Sequence, residues 1–529
     1  MNSYLLLMGI VVVICVLMYR WIEKLPIPSL LIFIGLGMCF GTNGIFRIPF
    51  DDYAATEVIC SVCLIFVMFY GGFGTNMKAA KPVAARSFLL STLGVALTAG
   101  LVGVFAHFAL GLEWQESLLI GSVVASTDAA SVFHILRSKK LNLKDNTASM
   151  LELESGSNDP MSYMLTIVMV SLMGGEQISV PLLLFRQLAF GIVCGLVIGK
   201  LAVFVLNNVS VSLSQGGTIL VFAAAILSYA LPTAIGGNGY LSVYLCGILM
   251  GNSYLPQKKN MVRFFDSITG MAQMIIFFLL GLLVTPAELP QVILPSLLIM
   301  IFMTVIGRPI AVSAVLLPFG ASLSQIGIVS WAGLRGVASI VFAIVAVLRE
   351  IEMRYNLFNL VFCIVLFSLA VQGTFLPFMA KKMHMIDKNA SVLKTFNDYK
   401  EENDIRFVKI SVQENHLWSG KKLKELPLPP DFLVVVIIRE NQNIVPNGDT
   451  VIFPHDLLVV AAREFENREN LTLKEITVEK SSKWNGKTLE ELELGQGTLI
   501  VMIQRDRETI IPRGSTKIEE GDLLVAAKF

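Results

Sequence analysis

A polytopic α-helical membrane protein followed by soluble α+β domains is the fold class this sequence predicts, and three observations predict it. Of 529 residues, 54% are hydrophobic and 15% charged, against about 25% charged in a typical soluble domain. The charge is uneven. Up to about residue 380 it sits in short clusters between apolar runs, and beyond that the composition is that of a soluble chain. The apolar runs are about 20 residues long, the length a helix needs to cross a bilayer.

In chain order the runs place thirteen spans near 3–19, 28–45, 54–72, 86–109, 116–136, 147–173, 182–206, 216–233, 237–253, 261–284, 291–317, 324–348 and 357–380. The first has no basic stretch ahead of it and reads as a span rather than a cleaved signal. Basic residues fall in alternate gaps. Arg20, Lys24, Lys78, Lys81, Arg86, Arg137, Lys139, Lys140, Lys144, Lys200, Lys258, Lys259, Arg263, Lys381, Lys382 and Lys388 lie on one side, and Arg47, Arg186, Arg349 and Arg354 on the other. The positive-inside rule then puts the N-terminus outside and the tail in the cytosol. A net charge of +1, with no basic run interleaved with aromatics, argues against a nucleic-acid partner. Cys60 and Cys63 have a redox or metal spacing, but without His or a second pair they read as apolar filler.

Two spans are interrupted. The fifth contains GSVVASTDAAS (121–131) and the twelfth SWAGLRGVAS (330–339). If spans 1–6 and 8–13 form two inverted six-helix repeats, these are the fifth member of each, and weak helices at matching positions point to a transporter's binding site. Close packing through small residues would explain the glycines but not Asp128 and Arg335.

The sixth span holds Glu152, Glu154, Ser155, Ser157, Asn158 and Asp159 ahead of Pro160. An ionised carboxylate at the bilayer centre costs at least about 2.5–3.5 kcal/mol, so these acids are not filler. Glu154 and Asn158 share a helix face, with Asp159 rotated by about 100°. A carboxylate beside Thr and Ser oxygens suits a dehydrated hard monovalent cation, or a proton. Arg335 needs an acid because a guanidinium stays charged; Glu154 is the expected partner, with Asn158 bridging. Arg308, a second buried-looking cation, either ties carbonyls of a broken helix or has a functional role.

Thr127-Asp128, ESGSNDP (154–160) and GLRG (333–336) resemble the motifs of CPA1-type monovalent cation/proton antiporters, the NhaP branch above all, and the resemblance covers about residues 1–385. It implies a homodimer in which a core domain moves against a dimer domain. The residue matching Asp159 would bind the cation, Thr127, Asp128 and Ser155 would help coordinate it, and Glu154, Arg335 and Asn158 would hold the core together. Where many relatives carry an acid after the glycines of the third span, FYGGFGTNMK (69–78) has none.

Residues 386–404 read as a polar linker. The tail, 405–529, repeats itself with a period of 66: Trp418, Gly420 and Asp456-Leu457-Leu458-Val459 recur as Trp484, Gly486 and Asp522-Leu523-Leu524-Val525. Each copy reads strand, Trp-x-Gly turn, short helix, Val/Ile-rich strand, Pro-x-Gly turn, strand. The copies, 405–465 and 470–529, resemble tandem RCK-C domains of TrkA C-terminal type. That resemblance implies regulation by a small ligand such as a cyclic dinucleotide or other nucleotide, and it favours K⁺ over Na⁺. A bare dimerisation module is the alternative for the tail.

A non-enzymatic, electroneutral antiporter of the bacterial inner membrane, with no resident cofactor, is thus the expected function. A potassium channel would need a TVGYG-type pore loop, and GGNGY (236–240) lacks its Thr-Val pair. An aspartyl protease using Asp128 and Asp159 is ill served by the intervening Asn158 and by Arg335.

Overall fold

The computed structural model describes residues 29–41, 44–48, 50–128, 141–175, 179–208, 216–256 and 258–387, scattered positions outside these ranges, and most of 405–528. Apart from Gly9 and Val13, the expected first span lies outside the described residues, as does the linker beyond Asp387. The chain divides into two compact units, 1–401 and 402–529.

The first unit is helical: α1 Ser29–Phe40, α2 Tyr53–Gly74, α3 Lys81–Leu110, α4 Trp114–Val124, α5 Thr147–Met173, α6 Val180–Asn208, α7 Gly216–Ala234, α8 Gly239–Gly251, α9 Lys258–Leu283, α10 Leu289–Phe319, α11 Leu323–Trp331, α12 Val337–Val347 and α13 Leu357–Lys382. Among them α2, α3, α6, α7, α9, α10 and α13 are long and apolar enough to cross a membrane. The two interruptions expected from sequence are real breaks. Helix α4 stops at Val124, with Ser131, Val132, Ile135 and Leu136 helical beyond it, and α11 stops at Trp331 before α12 resumes at Val337.

Among the described helices, α1, α2 and α6–α9 pack mainly on one another, and so do α3–α5 with α10–α13. The two groups meet mainly where α5 and α12 face α2, α6, α8 and α9. Within the first group small residues bring backbones together: a Cβ added at Gly247 of α8 would lie 2.4 Å from the Phe69 carbonyl oxygen, and one at Gly251 2.1 Å from that of Phe73.

Past α13 the chain returns to the loop before α5. Leu143 and Ile386 form an antiparallel bridge. The Lys144 amide donates to the Met385 carbonyl, and the Asp387 amide to that of Asn142, both at 2.9 Å. Asp145 (φ 58°) and Asn146 (φ 53°) then take left-handed conformations, which their short polar side chains tolerate, and α5 begins.

The second unit holds two matching antiparallel sheets. Strands β1 Ile405–Ser411, β2 Phe432–Arg439, β3 Gln442–Ile444 and β4 Leu457–Arg463 lie in the order β1-β4-β2-β3. Strands β5 Thr472–Thr477, β6 Thr498–Arg505, β7 Glu508–Ile510 and β8 Leu523–Lys528 lie in the order β5-β8-β6-β7. Bulges between Val434 and Val436 and between Ile500 and Met502 fall at equivalent places. Gly420 (φ 79°) and Gly486 (φ 80°) supply the left-handed residue each Trp-x-Gly turn needs. Strands β3 and β7, three residues each, escaped the sequence pattern.

Each sheet is pinned by a buried aspartate that the repeat located without its partner. Arg439 holds Asp456 through two hydrogen bonds of 2.8 Å, and Arg505 holds Asp522 in the same way. Burial pushes the Asp456 carboxyl up, but the Arg439 hydrogen bonds and the Phe453 amide outweigh it and hold it below the ordinary carboxylate range. At Asp522 the Arg505 hydrogen bond dominates, with the same outcome. Both pairs stabilise the fold above the ordinary carboxylate pKa of about 3.9 and lose that contribution as pH falls through the lowered value.

Candidate functional site: the crossing of two broken helices

A helix that stops in mid-membrane leaves its last carbonyls and the next helix's first amides without partners. Here the two breaks supply partners to each other. The Asp128 amide donates to the Leu334 carbonyl at 2.8 Å. Arg335, fully buried, donates from Nη1 to the carbonyls of Ala125 (2.7 Å) and Ser126 (2.8 Å), so its charge sits on the negative end of α4. Asp128 lies instead against the N-terminal, positive end of α12, where a Cβ at Gly336 would come 2.4 Å from its own Cβ. Ser131 donates to its carboxylate from both amide (3.1 Å) and hydroxyl (2.5 Å).

Helix α13 braces the second break. The Arg335 amide donates to Ser368 Oγ at 3.0 Å, Ser368 donates to Gln372 Oε1 at 2.5 Å, and the Trp331 indole donates to the Gln372 carbonyl at 3.1 Å.

Helix α5 docks on the first break through its polar face. Ser155 donates to the Thr127 carbonyl at 2.6 Å, Asn158 Nδ2 to the Thr127 hydroxyl, and Ser162 to the Ser122 carbonyl at 2.5 Å. The Ser126 hydroxyl donates to Asp159 Oδ1. Pro160 has no amide to offer within α5, and its own carbonyl accepts from Asn238 Nδ2 at 2.9 Å. Asp159 and Asp128 are half-buried, whereas Glu154, Ser155 and Asn158 are buried.

The structure therefore gathers Thr127, Asp128, Ser155, Asn158 and Asp159 into one place. It does not form the expected Glu154–Arg335 pair. Glu154 Oε1 meets Arg308 Nη2 of α10 at 2.6 Å, each side chain 1% exposed, and Asn158 turns to Thr127 instead of bridging. The two arginines have exchanged roles, for a geometric reason: Arg335 emerges within the break, directly over the open carbonyls of α4. Arg308 threads past Gly333, where a Cβ would lie 2.9 Å from its Nε. Ser126 was missed as an individual residue, although it stands in the polar string 121–131. Near the glycines of α2 the buried Thr75 donates to the Gly71 carbonyl at 2.9 Å, and 74–76 carry no acid.

Such a site offers two half-buried carboxylates, Asp159 and Asp128, hydroxyls around them, and unwound backbone facing a crossing of opposite helix ends. It can hold a small dehydrated cation or a proton at Asp159 without base or nucleophile chemistry.

The transmembrane family described as sodium/hydrogen exchanger matches residues 9–382, and the TrkA-C domain matches 407–464 and 473–527. The K(+)/H(+) antiporter NhaP2 of Shewanella sp. (strain MR-4) is 33% identical over 472 residues, covering 88% of this chain and 82% of its own. The K(+)/H(+) antiporter NhaP of Alkalimonas amylolytica is 31% identical over 468 residues, covering 87% and 81%. The solved structure of the sodium proton antiporter MjNhaP1 from Methanocaldococcus jannaschii superposes with a TM-score of 0.64 at 22% identity, covering 72% of this chain and 99% of that one. The chain belongs to the sodium/hydrogen exchanger family of cation/proton antiporters, multi-pass membrane transporters rather than enzymes, and carries two TrkA-C domains behind its transporter.

Proposed function

We propose that this protein exchanges a monovalent cation, K⁺ in preference to Na⁺, for H⁺ at Asp159, one for one. The observation that carries the reading is the Asp159 carboxylate beside the unwound residues 126–128, with Ser126 donating to it. An empty carboxylate is costly to move through a low-dielectric barrier, so the site crosses only when loaded with cation or proton. Competition between the two ligands makes the cycle an exchange. Thr127, Asp128 and Ser155 complete the cation's surroundings. The K⁺ preference is supported by the TrkA-C tail and by the K(+)/H(+) antiporter names of the NhaP2 relatives.

The same reading takes the transporter as thirteen spans in two inverted six-helix repeats within residues 1–385, N-terminus outside, in a bacterial inner membrane. A homodimer works by an elevator-like movement, and the cytosolic domains, 405–465 and 470–529 behind the linker 386–404, respond to a small ligand. The test is cation-induced proton flux in inverted vesicles with K⁺, Na⁺ and Li⁺ at several pH values. Asp159→Asn should abolish it while the protein still inserts; retained cation-dependent flux would sink the assignment. Channel activity would show as cation movement that an imposed pH gradient cannot drive.

A further inference from the structure

Gly156, Asp159 and Tyr163 stand at i, i+3 and i+7 of α5 and so share the face that α8, from the other helix group, packs against. Two tyrosines of α8, one turn apart, straddle the aspartate. The Tyr240 ring lies 5.1 Å from the Tyr163 ring on one side of it. On the other side the Tyr244 ring lies over Gly156, where an added Cβ would fall 2.4 Å from its Cε2 and 2.6 Å from its hydroxyl. The two hydroxyls differ. That of Tyr240 donates to Ser61 Oγ at 3.1 Å. That of Tyr244, in a side chain only 2% exposed, makes no hydrogen bond of standard geometry, with the Ser157 and Thr75 hydroxyls beside it.

A buried hydroxyl without a well-formed hydrogen bond is costly, and a phenylalanine would fill the same space without that cost. An oxygen kept there, one turn from the transport carboxylate and aimed at the strip of α5 that carries it, is explained by a partner that comes and goes. We propose that the Tyr244 hydroxyl is a neutral oxygen ligand for the dehydrated alkali cation carried on Asp159, lent by the helix group opposite the one that holds the carboxylate. The inference rests on the assignment of Asp159 as the transport site. It makes Tyr244 a specificity-determining contact that exists only while α5 and α8 are in this register.

The test uses Tyr244→Phe, which keeps the ring over Gly156 and removes only the oxygen, in full-length protein reconstituted in proteoliposomes. The expected result is a KM for K⁺ raised about fivefold to thirtyfold, the loss of one oxygen contact, with maximal rate and pH profile little changed. In detergent, saturating K⁺ should raise the melting temperature of Y244F less than that of the wild type. An unchanged KM together with a higher basal melting temperature, the signature of deleting an unsatisfied buried group, would overturn the proposal. If the wild type itself exchanges independently of Asp159, the transport assignment fails; an active, Asp159-dependent wild type matched by Y244F refutes the Tyr244 contact alone.

Discussion

Arg308 and Glu154 meet at 2.6 Å with 1% of either side chain exposed, so neither charge has water to fall back on. Removing one partner of such a pair strands the other and costs about 3–5 kcal/mol. Arg308→Ala should therefore lower the melting temperature and the yield of folded protein, and adding Glu154→Gln should recover part of the loss; size-exclusion profiles and thermal unfolding of the single and double variants read this out. Arg335 acts otherwise. Its partners are backbone carbonyls, so no acid substitution should rescue its loss, and the contrast between the two arginines checks the exchange of roles.

At the scale of elements, the crossing is tight because one glycine permits it. A Cβ at Gly336 would press on Asp128, Cβ to Cβ at 2.4 Å and Cβ to Oδ2 at 2.7 Å. Overpacking of this kind costs about 1–3 kcal/mol. Gly336→Ala should thus lower exchange activity severely while the protein still inserts; wild-type flux would mean that the crossing tolerates displacement. Much of this level was legible in the sequence. Small residues, hydroxyls and a single charge within an apolar run fixed both breaks to within a few residues, and the period of 66 located both sheets. What stayed hidden was the pairing. Spacing along α5 says that Glu154 and Asn158 share a face, but which arginine arrives there depends on how α10 and α11 pack beside Gly333, and no local pattern encodes that. The short strands β3 and β7 were lost for a related reason, since three residues are too few to express an alternation.

For the molecule as a whole, the proposed exchange at Asp159 alone implies a charge balance. The residue before Asp159 is Asn158; on the proposed one-for-one exchange the site would carry either one cation or one proton across, and the membrane potential would have no net charge to act on. Otherwise about 2.3 kcal/mol per charge per 100 mV would bias the cycle. Flux in tight proteoliposomes should be indifferent to an imposed potential, and a current on a solid-supported membrane would show that a second group, Asp128 first of all, carries a proton of its own.

The bridge between residues 142–144 and 385–387 has a mechanical consequence. Leu143–Ile386 and the two flanking hydrogen bonds tie residues 385–387 to the segment that leads through the turn at Asp145 and Asn146 into the helix bearing Asp159. The bridge is a clasp, and where the chain is cut decides whether it stays fastened. A protein ending after Asp387 keeps the clasp and should exchange ions while losing its response to cytosolic conditions. One ending after Lys382 opens it and should alter the exchange itself, a difference that parallel flux measurements on the two truncations would expose.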